Sequence, residues 1–263
     1  MNYEENSKKK YSVPAVDTAF KLITLLSRKK YQSSTLTEIA NALDLNPTTC
    51  FRILYELQQL SVVKYEQRTK RYTLGPYLVV LGERAKEHIN YLSLINSYLE
   101  KMTAETGITS FLVSRVGRNR STIVSKVEGD NFGVRVSVGR HFDLLDGAYG
   151  KCIIAYANEA DMDYCLKSNE RVNDYNLKEV EDLKKELFEV KKNGYAISFN
   201  ETINGIFGVA APIINFNNQV EMSIAFAGVS AQYSIEELKP LIDLIKDSAQ
   251  KISSKLNMEF ELF

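Results

Sequence analysis

Between residues 35 and 59, two short amphipathic patterns are separated by a turn of only three residues, Asp44-Leu45-Asn46, and each pattern carries its own helix-start chemistry. Thr35 followed by Glu38 is a capping box, in which the two side chains satisfy each other's orphan backbone donors. Leu36, Ile39, Ala40 and Leu43 then recur at helical spacing. Asn46 can cap the next helix and Pro47 can take its first position, where a missing N–H costs nothing. Cys50, Ile53, Leu54 and Leu57 form that helix's inner face. At about 100° per residue, Thr48, Arg52, Tyr55 and Gln59 project from the opposite face, with Thr49 and Phe51 on its flanks. The outer face holds an arginine and hydrogen-bonding groups but no acid, since Glu56 lies off its centre. Two helices joined by so tight a turn, with this polarity, predict a helix-turn-helix whose second helix enters a DNA major groove by its N-terminal residues. Thr48, Thr49 and Arg52 are the candidates for base edges or phosphates, with Tyr55 beside them.

The flanking segments extend the pattern. Val16, Ala19, Phe20, Ile23 and Leu26 predict a first helix over 14–27, with one apolar face. After the second of the paired helices, residues 62–65 and 71–74 read as strands joined by Glu66-Gln67-Arg68-Thr69-Lys70, a hairpin with a basic tip. Such a wing would place Arg68, Lys70 and Arg71 against phosphates, adding salt-dependent affinity without sequence information. Charge supports a polyanion partner for this part of the chain. The whole sequence is neutral, with 33 basic and 33 acidic residues, yet residues 1–75 hold 12 basic and 7 acidic ones, leaving 21 and 26 for the remainder. A basic head on an acidic body fits a nucleic-acid reader carrying a sensor. An ordinary small helical bundle, or a winged helix used for protein contact, remains open on this reading.

Past Pro76 a helical pattern runs through Tyr77, Val80, Leu81 and Ala85 as a linker, and Leu92, Ile95, Leu99 and Met102 mark a further helix ending near Gly107. The period then shifts towards two. Strands are expected over 108–116, 122–128, 134–138, 195–199, 207–216 and 220–227, and helices over 147–157, 159–167, 177–192 and 235–256. Antiparallel strands with segregated helices predict an α+β domain. The domain expectation is therefore 1–75 for a winged helix-turn-helix, 76–89 for a linker helix, and 90–263 for an effector-binding and oligomerisation domain.

Several classes are disfavoured. No run reaches the roughly 18 apolar residues of a membrane span, and the polar start lacks an apolar signal core, so a soluble cytoplasmic protein with no membrane partner is expected. Cys50, Cys152 and Cys165 are odd in number and widely spaced, which fits small buried residues better than disulfides or a metal site. His88 and His141 lack a second ligand at metal spacing. Gly150-Lys151 lacks the remainder of a phosphate-binding loop. No catalytic set, metal or cofactor is expected. The alternative from another class is an enzyme or redox sensor acting through Cys152 or Cys165.

These residues resemble the IclR (isocitrate lyase regulator) family of bacterial transcription factors. The likeness is carried by Leu36 to Leu43, Thr48 to Leu54, Tyr72 to Pro76, Ala148 to Lys151, Asn193 to Tyr195, Glu201, Gly205 and Val209 to Pro212, and spans about Val13 to Leu256. Thr18 stands where the family usually has an arginine, and Asp143-Leu144-Leu145 replaces its usual Pro-Leu-His run. The resemblance implies a GAF-like or profilin-like sensor domain, binding to a pseudo-palindromic operator in double-stranded DNA, and a homodimer or homotetramer. It also implies a small-molecule effector, held on the turn at Asp146, Ala148 and Tyr149, on Glu201 and Gly208, and on Ser223 and Ala225. Free N–H groups at the helix start after Asp146 would attract a carboxylate or similar anion. If Tyr149 lines the pocket, the ligand is small.

Overall fold

A computed structural model describes residues 13–88, 91–130, 134–168 and 177–259. The polar start of the chain and the expected domain junction at residues 89 and 90 lie outside the described residues. By its internal contacts the chain divides after residue 89 into two compact units.

In the first unit, helix α1 (Pro14–Leu26) starts on a proline that needs no N–H partner. Strand β1 (Ser34–Thr35) leads into helix α2 (Leu36–Ala42), and helix α3 (Pro47–Gln59) follows after a turn in which Asp44 adopts φ 51°. The capping box is formed: the Thr35 amide donates to Glu38 Oε2 at 2.8 Å and the Glu38 amide to Thr35 Oγ1 at 3.3 Å. The bond from the Thr35 amide, aided by Arg71, holds the Glu38 carboxyl below its ordinary value. Asn46 Oδ1 accepts the Thr48 amide at 2.9 Å and so caps α3. Strands β2 (Val63–Glu66) and β3 (Arg71–Leu74) pair antiparallel from Val63↔Leu74 to Glu66↔Arg71, and β1 adds to β3 through Ser34↔Tyr72. Helix α4 (Tyr77–His88) begins just after Pro76. Gly75 is required at this corner, because a Cβ there would lie 2.1 Å from the Ser61 carbonyl oxygen.

The core of this unit gathers Leu22, Leu25 and Leu26 of α1, Ile39 of α2, Cys50, Leu54 and Leu57 of α3, and Val62, Val63 and Tyr72 of the hairpin. Each large apolar side chain so buried contributes about 1.5–3 kcal/mol. The stripe expected on α1 is corrected. Val16 and Phe20 are 53% and 66% exposed, while Leu22 and Leu25 are buried. The helix carries two apolar stripes, and the one at positions 22, 25 and 26 faces α3.

In the second unit, helix α5 (Tyr91–Thr106) precedes strands β4 (Thr109–Val116), β5 (Arg120–Val127) and β6 (His141–Asp143). Helices α6 (Gly147–Ile154), α7 (Glu159–Ser168) and α8 (Leu177–Asn193) follow. Strands β7 (Ala196–Phe199), β8 (Ile206–Ile214) and β9 (Val220–Val229) and helix α9 (Lys239–Glu259) complete the order. The described strands form one six-stranded antiparallel sheet, β6-β5-β4-β9-β8-β7. Its side chains alternate between faces, as the pleat requires. Leu112, Val209, Ala211, Ile224 and Phe226 pack on α5 and α9, whereas Phe111, Val113, Ala210 and Ala225 pack on α6 and α8. The unit is thus α+β, with helices on both faces of an antiparallel sheet.

Two expectations fail here. Residues 134–138 form no strand: they cross beside β5 by an isolated pair of bonds, Gly139 amide to Ile123 carbonyl and Ile123 amide to Arg140 carbonyl, and turn at Gly139, φ +81°. The edge of the sheet is taken instead by β6. The helix expected from Ile235 begins as a short 3-10 turn, Glu236–Leu238, capped reciprocally by Ser234 and Glu237, and becomes α-helical only at Lys239. Among the described residues no helix is long and apolar enough to cross a membrane.

Candidate nucleic-acid interface and ligand cavity

Helix α3 turns Thr48, Thr49, Arg52 and Tyr55 outward, all of them exposed. Arg52 has no ion-pair partner among the described residues, so its guanidinium is not neutralised by a neighbour. Phe51 and Tyr55, one turn apart, bring their rings to 6.3 Å. Thr18 on α1 donates its hydroxyl back to the Pro14 carbonyl at 2.7 Å. Arg68 and Lys70 stand exposed at the hairpin tip, where Lys70 adopts φ 54°. Arg71 is placed differently. It lies at the hairpin's base and donates to the Ser33 carbonyl at 2.6 Å and to Glu38 at 3.3 Å. It therefore pins β3 to the start of α2, a half-exposed pair contributing at most about 1 kcal/mol. An open apolar groove of about 640 Å³ runs between α1 and α3, lined among others by Val16, Ala19, Phe51, Tyr55 and Leu60.

The second unit holds a cavity of about 70 Å³ between the sheet and the start of α6. Its aromatic wall is a run of edge-on contacts, Phe111 to Tyr149 at 5.9 Å and Phe142 to Tyr149 at 5.1 Å. Of the residues singled out by sequence, Tyr149 and Gly208 line it. Asp146 sits at the N-cap of α6, and Gly147 follows in the left-handed region, φ +70°, where a Cβ would press on Tyr149 and Thr202. Ala148, Ser223 and Ala225 are buried and are not among the cavity's lining residues. The Ser223 hydroxyl donates to the Tyr149 carbonyl at 3.0 Å, fastening α6 to β9. Arg135, Arg140, Ser198 and Thr202 also line the cavity, and sequence reasoning passed over all four. Nothing local marks them, because they converge from separate segments.

Glu201 does not line the cavity. It accepts a hydrogen bond from Lys151 Nζ at 2.6 Å, and Glu186 on α8 accepts another at 2.6 Å. The Lys151 side chain is 6% exposed, against 40% and 44% for its two partners. Burial works to discharge the lysine, but the two carboxylates outweigh it and raise its pKa. Lys151, which the sequence offered only as an incomplete phosphate loop, is thus the tie between α6, α8 and the loop after β7. That loop carries Thr202 and Ile203 to the cavity.

Cys50, Cys152 and Cys165 are unpaired and buried. Desolvation pushes the Cys50 and Cys165 thiols up to about 11 and raises Cys152 further still. A thiol kept protonated at neutral pH is a poor nucleophile. Titration of the native protein with a chromogenic disulfide at pH 7.5 should therefore release little signal until denaturant is added. Rapid stoichiometric reaction of native Cys152 or Cys165 would contradict this. Among the described residues no group of three His, Cys, Asp or Glu side chains could hold a metal ion.

The family described as bacterial transcriptional regulator IclR C-terminal matches residues 84–254. Among curated proteins, the HTH-type transcriptional regulator KipR of Bacillus subtilis is 25% identical over 243 residues, which cover 91% of this chain and 96% of its own. Among solved structures, the IclR transcriptional regulator from Alicyclobacillus acidocaldarius is 34% identical, with a TM-score of 0.83, and covers 93% of this chain and 99% of its own. The Thermotoga maritima IclR is 26% identical with a TM-score of 0.65, again covering 93% and 99%.

Proposed function

The chain belongs to the IclR family of bacterial transcriptional regulators, and we propose that it binds a pseudo-palindromic operator in double-stranded DNA under the control of a small-molecule effector. It is a transcriptional regulator and not an enzyme. Residues 1–75 serve as the winged helix-turn-helix, 76–89 as the linker helix, and 90–263 as the GAF-like effector-binding and oligomerisation domain, in a cytoplasmic protein. The observation that carries this reading is the outer face of α3, which presents Thr48, Thr49 and the unpaired Arg52 together. These reach base edges or phosphates, while Arg68 and Lys70 neutralise the backbone and Arg71 holds the wing in position. Exposed apolar side chains on the first unit, Val16 and Phe20 on α1 and Tyr77, Val79 and Val80 on α4, support a homodimer or homotetramer in which a second copy covers them.

The cavity beside Tyr149 and Gly208 is the effector site in this reading. Ser223 fastens Tyr149 through its carbonyl, Ala148 and Ala225 are buried in the packing of α6 on the sheet, Asp146 marks the start of α6, and Glu201 holds the rim loop through Lys151. Coupling of about 1–3 kcal/mol between effector and operator changes operator affinity about 5- to 150-fold. Fluorescence anisotropy on labelled duplexes from the DNA flanking the gene, titrated with KCl, tests the DNA partner. Log affinity should fall linearly with log salt with a slope of several units. Absence of binding, or affinity indifferent to salt, would leave a protein-interaction module as the better reading.

A further inference from the structure

We infer that Arg140, with Arg135 beside it, anchors the charged end of the effector, so that the ligand is a small carboxylate directed at residues 134–140 and away from the start of α6. The inference rests on reading the cavity as the effector site. The walls are mostly apolar, with Phe111, Ile123, Phe142 and Phe226 among them. Two arginines, both exposed to solvent, are among the lining residues, and no acidic residue is. Neither arginine has an ion-pair partner among the described residues, and Glu128, the acid on which Arg135 acts, is held by Lys126. An apolar cavity whose lining carries only positive formal charge, on its solvent side, favours an anion with an apolar stem.

Arg140 is also held in place before any ligand arrives. Its carbonyl accepts the Ile123 amide at 3.2 Å and the Thr122 hydroxyl at 3.2 Å, and its amide donates to the Ser137 carbonyl at 3.1 Å. Its guanidinium carbon lies 4.8 Å over the Phe142 ring, which itself packs edge-on against Tyr149. That contact tethers the guanidinium beside Phe142, and its N–H groups can meet a bidentate acceptor. A second feature points to a ligand. Thr202 Oγ1, in the same lining, is buried and has no hydrogen-bond partner. A buried hydroxyl left unmatched is costly, and an acceptor or donor on the ligand would satisfy it. The start of α6 is the poorer anion site, because the Asp146 carboxylate stands at its N-cap.

Size narrows the class. At about 10–15 Å³ of such space per water-sized group, 70 Å³ admits roughly five non-hydrogen atoms. A carboxylate uses three of them, leaving a stem of about two.

Isothermal titration of the full-length protein with acetate, propanoate and butanoate, with their primary amides and alcohols, and with inorganic phosphate tests the assignment. An acid should bind at least tenfold more tightly than its amide, as loss of a charge-assisted hydrogen bond implies. Arg140→Gln should weaken it by about 10- to 100-fold while leaving the circular dichroism unchanged, with Arg140→Lys in between. Gly208→Ala, whose methyl intrudes on the cavity, should exclude the longest acid that the wild type accepts. Acid binding unaffected by Arg140→Gln overturns the anchor. Amides or alcohols that bind as well as acids, and are sensitive to Gly208→Ala, overturn the anchor but keep the cavity as the site. Phosphate binding more tightly than every acid overturns the carboxylate. If no member of the panel binds, the cavity reading and the anchor fall together.

Discussion

Substituting glutamine for both Glu186 and Glu201 lowers the thermal midpoint of the C-terminal unit by roughly 10 °C, more than Lys151→Met does. The asymmetry follows from which member of the triad is buried. Lys151 is 6% exposed and cannot regain water when its counter-charges go, while the two glutamates are 40% and 44% exposed and can rehydrate when the lysine goes. Stranding a buried charge costs about 3–5 kcal/mol, here nearer the lower figure because glutamine still accepts a hydrogen bond. At 2–4 °C per kcal/mol for a unit of this size, about 3 kcal/mol corresponds to a shift of roughly 6–12 °C. Losing one partner of half-exposed carboxylates costs far less. Scanning calorimetry of the three proteins decides the order, and a larger loss in Lys151→Met would mean that the glutamates are the trapped members.

The triad also sets a pH window. Because the folded pKa of Lys151 is raised above its ordinary value of 10.5, its contribution is fully present below that value. It is lost as the pH rises through the folded value. Lys151→Met should therefore narrow the stability difference from wild type in strong alkali and leave the difference constant from pH 6 to 9. Glu201 adjoins Thr202, so the same substitution should loosen the cavity rim.

What could be read from the sequence was chemistry that acts over three or four residues. The Thr35–Glu38 box and the Asn46-Pro47 start are local, and both ends of each contact lie within one window. The strands over 108–116 and 207–216 are likewise visible, but the opposite faces taken by Phe111 and Leu112, or by Val209 and Ala210, are not, because all four are apolar. The second apolar stripe of α1 shows where this stops. Periodicity reports that Val16 and Phe20 are apolar and in phase, but not that Leu22, Leu25 and Leu26 occupy the monomer's core. Strands β1 and β6 are two and three residues long and are held only by partners distant in sequence, such as Ser34↔Tyr72 and Ser121↔Phe142. Side-chain type is likewise silent on the setting of Arg71, whose partners Ser33 and Glu38 lie 38 and 33 residues away. Lys151 is decided by Glu186 and Glu201, 35 and 50 residues further on. Arg140 and Thr202 acquire their setting only when β6 and the loop after β7 meet beside α6.

Operator binding offers the other large effect, and the geometry separates three kinds of cation. Arg52→Ala should weaken binding to the cognate duplex by about 10- to 150-fold and relax base preference at one position, with the salt slope unchanged, as for a group that reads a base edge. Arg68→Ala with Lys70→Ala should weaken all duplexes alike and lower the slope by about two, close to 0.9 per lost phosphate contact. Arg71→Ala should leave the slope unchanged, since its guanidinium is already given to the Ser33 carbonyl and Glu38. Its cost should appear instead as a small loss of stability in the first unit. Affinity measured between 50 and 300 mM KCl on cognate and scrambled duplexes distinguishes the three. A slope that falls by one in Arg71→Ala would mean that Arg71 abandons Glu38 for a phosphate when DNA binds. A slope that falls by one in Arg52→Ala would move Arg52 from the base edge to the backbone, leaving Thr48 and Thr49 to carry the sequence readout.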